Sequence, residues 1–238
     1  MFTDFHSHIL PGVDDGSAGV EESVAMLRLE AEQGVRHVVA TPHFYARHDS
    51  PDRFLKRRAE ALESLQKEME KYPDLPGISV GAEVYYFDGI SDSDAVKQLT
   101  IESGHYLMVE MPHGPWTETM YRELEELYRK RGITPIIAHI DRYIAPLRTF
   151  GIPRRLEDLP VLVQANAEFF TTRATAGMAA RMLKNGQIHL LGSDCHNMRS
   201  RKPNLEEAAE VISKRLGKEP FRQIQYFEQL VLQDTVSA

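Results

Sequence analysis

The chain has 238 residues, 42% hydrophobic and 26% charged, enough for one domain over residues 1–238 to bury a sizeable core without disulfides. A single cysteine, Cys195, excludes a disulfide framework and cysteine-based zinc fingers. A formal charge of -7 argues against a broad nucleic-acid or membrane-surface footprint.

No run of about 18 apolar residues is present. The opening MFTDFHSHIL lacks the basic and apolar segments of a secretory signal, so a soluble cytoplasmic protein is expected. Short β-branched runs then alternate with longer helical patterns. Strands are expected over 2–6, 37–41, 78–84, 106–110, 135–139, 161–165 and 188–192. The first helix carries Val20, Val24, Leu27 and Ala31 at helical spacing, with Gly34 as its stop. A second begins at Ser50 and Pro51, a cap residue followed by proline at the first helical position, and runs to about Lys71. Others are expected over 117–130, 175–185 and 205–216. Strand and helix alternating seven times predicts parallel pairing through βαβ crossovers. Neither a GxGxxG nor a P-loop follows the first strand, which weakens an open nucleotide-binding sheet.

The strand ends carry the chemistry. The first closes with His6-Ser7-His8, the second with Thr41-Pro42-His43 and the third with Gly81-Ala82-Glu83. The fourth closes with Val109-Glu110, the fifth with Ala138-His139 and the seventh with Ser193-Asp194-Cys195-His196. In a (β/α) barrel these ends converge on one rim, where such folds build their sites. Two side chains at i and i+2 on a strand share a face, which fits chelation by His6 with His8 and by Asp194 with His196. Singly, each has a bland alternative: His43 as a packed histidine, Asp15 as a turn aspartate, Glu83 and Glu110 as strand-terminal charges. Their conjunction makes a sulfur-free set of nitrogen and oxygen metal ligands. By contrast His37, His105 and His189 fall at strand starts and His48 in a loop, where structural roles are expected.

The pieces FHSHILPGVDDG, ATPH, GAEVYY, VEMP, ITPIIAHIDRY and GSDCHN with Arg201 span nearly the whole chain. Together they resemble the bacterial PHP-type (polymerase and histidinol phosphatase) protein-tyrosine phosphatases of capsular and exopolysaccharide operons. That resemblance implies a distorted seven-stranded barrel with three divalent metals, manganese favoured and iron or zinc also suited. It places one metal on His6, His8, Glu83 and Asp194. A second shares Glu83 and takes Glu110 and His139, and a third takes Asp15, His43 and His196. It assigns phosphate contacts to Arg142 and Arg201, and it implies a membrane-associated bacterial tyrosine autokinase as partner. Two departures stand out: Asp141 where glutamate is more usual beside Arg142, and the unfamiliar loop MPHGPW.

Four carboxylates against three divalent ions, with two arginines added, make a positive pocket suited to a phosphomonoester dianion. The expected reaction is in-line attack on phosphotyrosine by a metal-bridging hydroxide, with charge on the equatorial oxygens stabilised by metals and arginine forks. Tyrosinate, with a pKa near ~10, needs little help in leaving. Asp14, His113 and a metal-bound water remain open as the acid. Ligand histidines must be neutral, so activity is expected to fall in acid. Cys195 and Arg201 also match the cysteine-x5-arginine spacing of cysteine-dependent phosphatases. The five intervening residues hold no glycine for a tight phosphate cradle, however, and Cys195 reads as a packed small residue. A small phosphomonoester such as histidinol phosphate is the alternative substrate. A non-catalytic metal-stabilised module of a polysaccharide-export assembly is the alternative of another kind, and no ligand position is missing in its favour.

Overall fold

Strand β1 (Phe2–Ser7) leads into helix α1 (Val20–Glu32), which ends ahead of Gly34 at φ +82°. Next come β2 (Val35–Ala40), β3 (His43–Phe44) and α2 (Pro51–Met69). The Ser50 Oγ accepts from the Arg53 N–H at 3.3 Å, with Pro51 opening the helix, so this start forms as its cap residues dictate. Strands β4 (Gly77–Val80) and β5 (Glu83–Tyr85) precede the short α3 (Val96–Leu99), β6 (Tyr106–Glu110) and α4 (Glu118–Arg131). Helix α4 starts at the Thr117 cap and stops at Gly132, φ +65°. Then follow β7 (Thr134–Ile137), α5 (Asp141–Ile144), α6 (Gly151–Leu156) and β8 (Leu162–Asn166). The chain finishes through α7 (Ala167–Thr171), α8 (Ala176–Lys184), β9 (Leu190–Gly192), α9 (Leu205–Leu216) and α10 (Glu219–Asp234). This computed structural model describes residues 2–144 and 151–234.

Every strand pairing is parallel, in a three-stranded sheet β1-β2-β4 and a six-stranded sheet β3-β5-β6-β7-β8-β9. One expected strand is therefore interrupted, and another is followed by a short extra one. The one over 37–41 continues as β3 only after Thr41-Pro42, because proline has no N–H for the ladder. The one over 78–84 is split at Gly81-Ala82, and its halves belong to different sheets. Hydrogen bonds from Gly81 N–H to the Ala40 carbonyl and from Glu83 N–H to the Pro42 carbonyl stitch the two sheets together. At the far edge β9 returns to β1: Ser7 bridges Cys195, and Asp194 N–H donates to the His6 carbonyl at 2.7 Å. The result is an α/β fold with a curled parallel sheet.

Two apolar clusters hold this curl. Phe5, Val39, Met108, Ile136, Ala138 and Leu190 form the smaller one, with side chains from strands across both sheets. The larger one lies between strands and helices. Helix α10, beyond the last helix expected from the sequence, adds the fully buried Val231 to the smaller cluster, a gain of about 1.5 kcal/mol or more for one such side chain. It sits at the starts of the strands: its Phe227 packs edge-on against His189 at 4.7 Å, and Glu228 Oε1 accepts from the Thr3 N–H. The strands' opposite ends are thus left to the polar residues. Among the described residues no helix is long and apolar enough to cross a membrane.

Candidate metal centre

All nine expected ligands gather at those C-terminal strand ends. His6, His8 and His139 are fully buried, Glu83, Asp194, His196 and Glu110 nearly so, and His43 lies at the edge. Asp15 is 70% exposed at its side chain, so the cluster opens to solvent on that side. Glu83 is the hub. Its Oε2 lies 3.1 Å from His6 Nε2, 3.3 Å from His8 Nε2 and 2.9 Å from His43 Nδ1, while Oε1 lies 2.7 Å from His139 Nε2. Asp194 Oδ1 is 3.4 Å from His8 Nε2 and 3.7 Å from His6 Nε2. Asp15 Oδ1 stands 3.6 Å from the Nε2 atoms of both His43 and His196. Glu110 Oε1 is 3.7 Å from His139 Nε2. Among the described residues four sets bring possible ligand atoms within 4.8 Å of one another: His6-His8-Asp194, His8-Asp15-His43-His196 and His43-Glu83-Glu110 at this rim, and Asp4-Glu30-Cys195 behind it.

Local backbone devices aim these side chains. Strict alternation would send Phe5 and His6 to opposite faces, but the pairing register shifts between Asp4 and Ser7. There His6 N–H donates to the Asp4 carboxylate at 3.0 Å instead of to a neighbouring strand. Gly192 admits His6: a Cβ on it would meet His6 Cβ at 2.5 Å. Gly16 likewise lies against the His8 carbonyl, where a Cβ would come within 2.3 Å. His139 and Asp194 adopt left-handed backbone, φ +31° and +54°, a conformation rare for residues with side chains.

The electrostatics are those of a cluster short of positive charge. Burial works against the charge on Glu83 and Asp194, yet facing imidazoles, joined at Asp194 by Arg142, hold both carboxyls well below the usual range. Burial also opposes protonation of His6 and His8, and their carboxylate neighbours reverse this and raise both. Burial and then the Glu83 charge push Glu110 up to about 7, while burial pushes His139 and His196 down to about 4. Glu83 Oε2, Glu110 Oε2, Asp194 Oδ1, His43 Nδ1 and His196 Nε2 are buried without a hydrogen-bond partner. Orphaned nitrogen and oxygen atoms converging on one spot, with no sulfur, fit divalent cations of the manganese, iron or zinc kind.

A second layer of residues orients the first. Asp14, weighed from the sequence as a proton donor, accepts instead: its Oδ2 takes His8 Nδ1–H at 2.6 Å and the His43 N–H, its Oδ1 the Gly16 N–H. Despite burial, the His8 imidazole and these backbone donors hold it far below the ordinary range. Gln164 and Asn166, at the one strand end without a histidine or carboxylate, are additions that sequence reading missed. Gln164 Oε1 meets His6 Nδ1 at 3.1 Å and the His139 N–H at 2.6 Å, and Asn166 Nδ2 donates to Asp194 Oδ2 at 3.0 Å. Their only signal was position at a strand end.

Arg142 and Arg201 both reach Asp194 Oδ2, the latter at 2.7 Å. Asp141, the first residue of α5, accepts from the Asn166 N–H at 3.1 Å. In the MPHGPW loop Trp116 packs on Tyr143 at 5.1 Å, and Tyr143 stands 5.6 Å from the ring of His139, so this loop braces an expected ligand. His113 is exposed, 6.2 Å from the Tyr143 ring. Cys195 is fully buried, and burial with Glu30 and Asp4 nearby pushes its thiol well up, the reverse of a reactive thiolate. His37 bonds Ser79 and His189 the Val163 N–H, both away from the cluster.

Residues 2–231 match the family model of capsular polysaccharide synthesis proteins CpsB/CapC. A Streptococcus pneumoniae protein named tyrosine-protein phosphatase CpsB is 31% identical over 227 residues, 90% of each chain. A solved structure from work on YwqE of Bacillus subtilis and CpsB of Streptococcus pneumoniae, described as metal-dependent tyrosine phosphatases, matches with a TM-score of 0.83 at 25% identity, covering 98% of this chain and 95% of that one. Histidinol phosphate phosphatase of Lactococcus lactis, solved with zinc, L-histidinol and phosphate, shares the fold at a TM-score of 0.54 and 15% identity, over 90% of this chain and 93% of that one. The chain belongs to the CpsB/CapC family.

Proposed function

We propose that this CpsB/CapC family member is a metal-dependent phosphotyrosine-protein phosphatase of capsule or exopolysaccharide synthesis. It works in the cytoplasm, with a membrane-associated tyrosine autokinase as its substrate. One observation carries the reading: nine nitrogen and oxygen ligands and two guanidinium groups meet at one open rim. In this reading β2 with β3, and β4 with β5, each count as one broken stave of a distorted seven-stranded barrel, and residues 1–238 form a single domain.

The residues divide into three sites for divalent ions, manganese favoured. His6, His8, Glu83 and Asp194 hold one, Glu83, Glu110 and His139 a second, and Asp15, His43 and His196 a third. When bound, such ions supply Lewis acidity and lower the pKa of a coordinated water towards about 7. The chain's own part is positioning. Arg142 and Arg201 keep unused N–H donors beyond those on Asp194 and bind phosphate oxygens in forks, stabilising negative charge as the phosphoryl group transfers. Asp14 keeps His8 in the tautomer whose Nε2 faces the cluster. The tyrosinate leaves without a strong acid, in keeping with an ionised Asp14.

Hydrolysis of a phosphotyrosine peptide by wild type and Cys195→Ser, each with and without chelator and with manganese restored, tests this. Both proteins are expected to turn over, to stop with chelator and to recover with manganese. A dead serine variant beside a chelator-resistant wild type would hand the chemistry to the thiol.

A further inference from the structure

Beside the cluster lies a cavity of about 470 Å³ walled by Tyr45, Arg47, Tyr85, Phe87, Pro112 and Met120, within the roughly 300–1,000 Å³ of small-molecule sites. Its floor is indexed to the metal ligands. His43 pairs with Glu83 in the parallel ladder of β3 and β5, and two residues beyond each stands a tyrosine. Side chains at i and i+2 share a face, so the aromatic pair Tyr45–Tyr85 prolongs the ligand pair His43–Glu83 outwards. Pro112 stands in the same relation to Glu110. The Tyr45 ring lies 5.3 Å from the His43 ring and 5.6 Å from the Tyr85 ring. At 37% exposure it is among the few large hydrophobic side chains open to solvent.

We propose that this cavity receives the aryl ring of the phosphotyrosyl leaving group, stacked on Tyr45, and that it makes the enzyme select aryl over alkyl phosphates. The proposal rests on the phosphotyrosine reading above and adds to it a specificity element separate from phosphate capture. A phosphate at the rim leaves the ring of a phosphotyrosine level with the two tyrosines, where offset stacking is favourable. A phosphoserine has no ring to stack on that wall.

The test compares manganese-loaded wild type, Tyr45→Ala and Tyr45→Phe on matched phosphotyrosine and phosphoserine peptides, with inhibition by phenylphosphonate and methylphosphonate read in parallel. Tyr45→Ala is expected to lower the phosphotyrosine-to-phosphoserine ratio of kcat/KM by about tenfold, through KM, and to weaken phenylphosphonate about as much relative to methylphosphonate. Tyr45→Phe keeps the ring and should restore both. An unchanged ratio in Tyr45→Ala, or equal weakening of both phosphonates, overturns the aryl subsite while leaving the phosphatase reading intact. A wild type that hydrolyses neither peptide removes that reading and this proposal together.

Discussion

Two sets of buried carboxylates lie close together in this molecule and are solved in opposite ways. At the rim, Glu83 and Asp194 are ionised, face imidazoles and keep oxygen atoms without hydrogen-bond partners. Behind them, Asp4 of β1 and Glu30 of α1 form a pair in which burial raises both carboxyls and the Asp4 charge raises Glu30 further. Asp4 Oδ1 accepts from the N–H groups of His6 and Ser193, and Oδ2 from the Ser193 hydroxyl, tying the first strand to the chain just past the last. Similar chemistry serves as a clamp where backbone and hydroxyl donors meet Asp4 and as a cation trap where such donors are withheld.

Glu83→Gln breaks the comparison on the functional side. Turnover of phosphotyrosine peptide should fall by roughly 10³-fold or more. The urea midpoint of the metal-free protein should fall only modestly, because the variant loses the imidazole contacts of the charge together with its burial penalty. Asp4→Ala is the mirror experiment. It orphans three buried donors and should cost about 3 kcal/mol or more of unfolding free energy, read from the same denaturation curves. If Asp4→Ala left the midpoint in place while Glu83→Gln collapsed it, the division into clamp and trap would be reversed.

Glu228 extends the clamp side to α10 and carries a pH signature. Burial pushes its carboxyl up to about 7. The folded state therefore binds a proton more tightly than the unfolded chain, so this contribution to stability is complete below pH ~4.5 and is lost as pH rises through about 7. Glu228→Gln still accepts from Thr3 and should flatten that slope, gaining up to about 3 kcal/mol at pH 8 and little at pH 4.5. Equal gains at both pH values would contradict the burial account. The smallest effect is expected from Asp14→Asn, on the trap side. Metal affinity, titrated against a chelating dye, should weaken by about 10–100-fold with the fold unaffected.

The rim was legible because a strand that ends in imidazole or carboxylate has no packing reason to do so, and each such ending recurs in the assembled cluster. The helix start at Ser50-Pro51 was legible from cap chemistry that acts within one turn. What escaped reading depends on contacts distant in sequence. Nothing local says that Gly81-Ala82 passes the chain from one sheet to the other, since that break is set by neighbours at Ala40 and Pro42. Gln164 and Asn166 read as ordinary strand amides until the ends of β1, β7 and β9 arrive beside them. Asp14 sat within the recognised motif, but its role turned on which atom faced His8. Helix α10 follows its neighbour after only a short break, and Pro220 in its first turn, the same kind of start signal as Pro51, was passed over.

The left-handed backbone at His139 and Asp194 sets a mutational asymmetry. Glycine is most at ease in that conformation, so exchange to glycine at either position relaxes the chain in the same stroke that deletes a proposed ligand. Selection for a durable fold and selection for turnover therefore pull against each other at these two positions. At His6 and His8 they agree, because loss of either fully buried ring leaves a void. In a lineage released from the need for catalysis, glycine or asparagine should spread at 139 and 194 first, while the histidines of the first strand persist as packing long after their chemistry has gone.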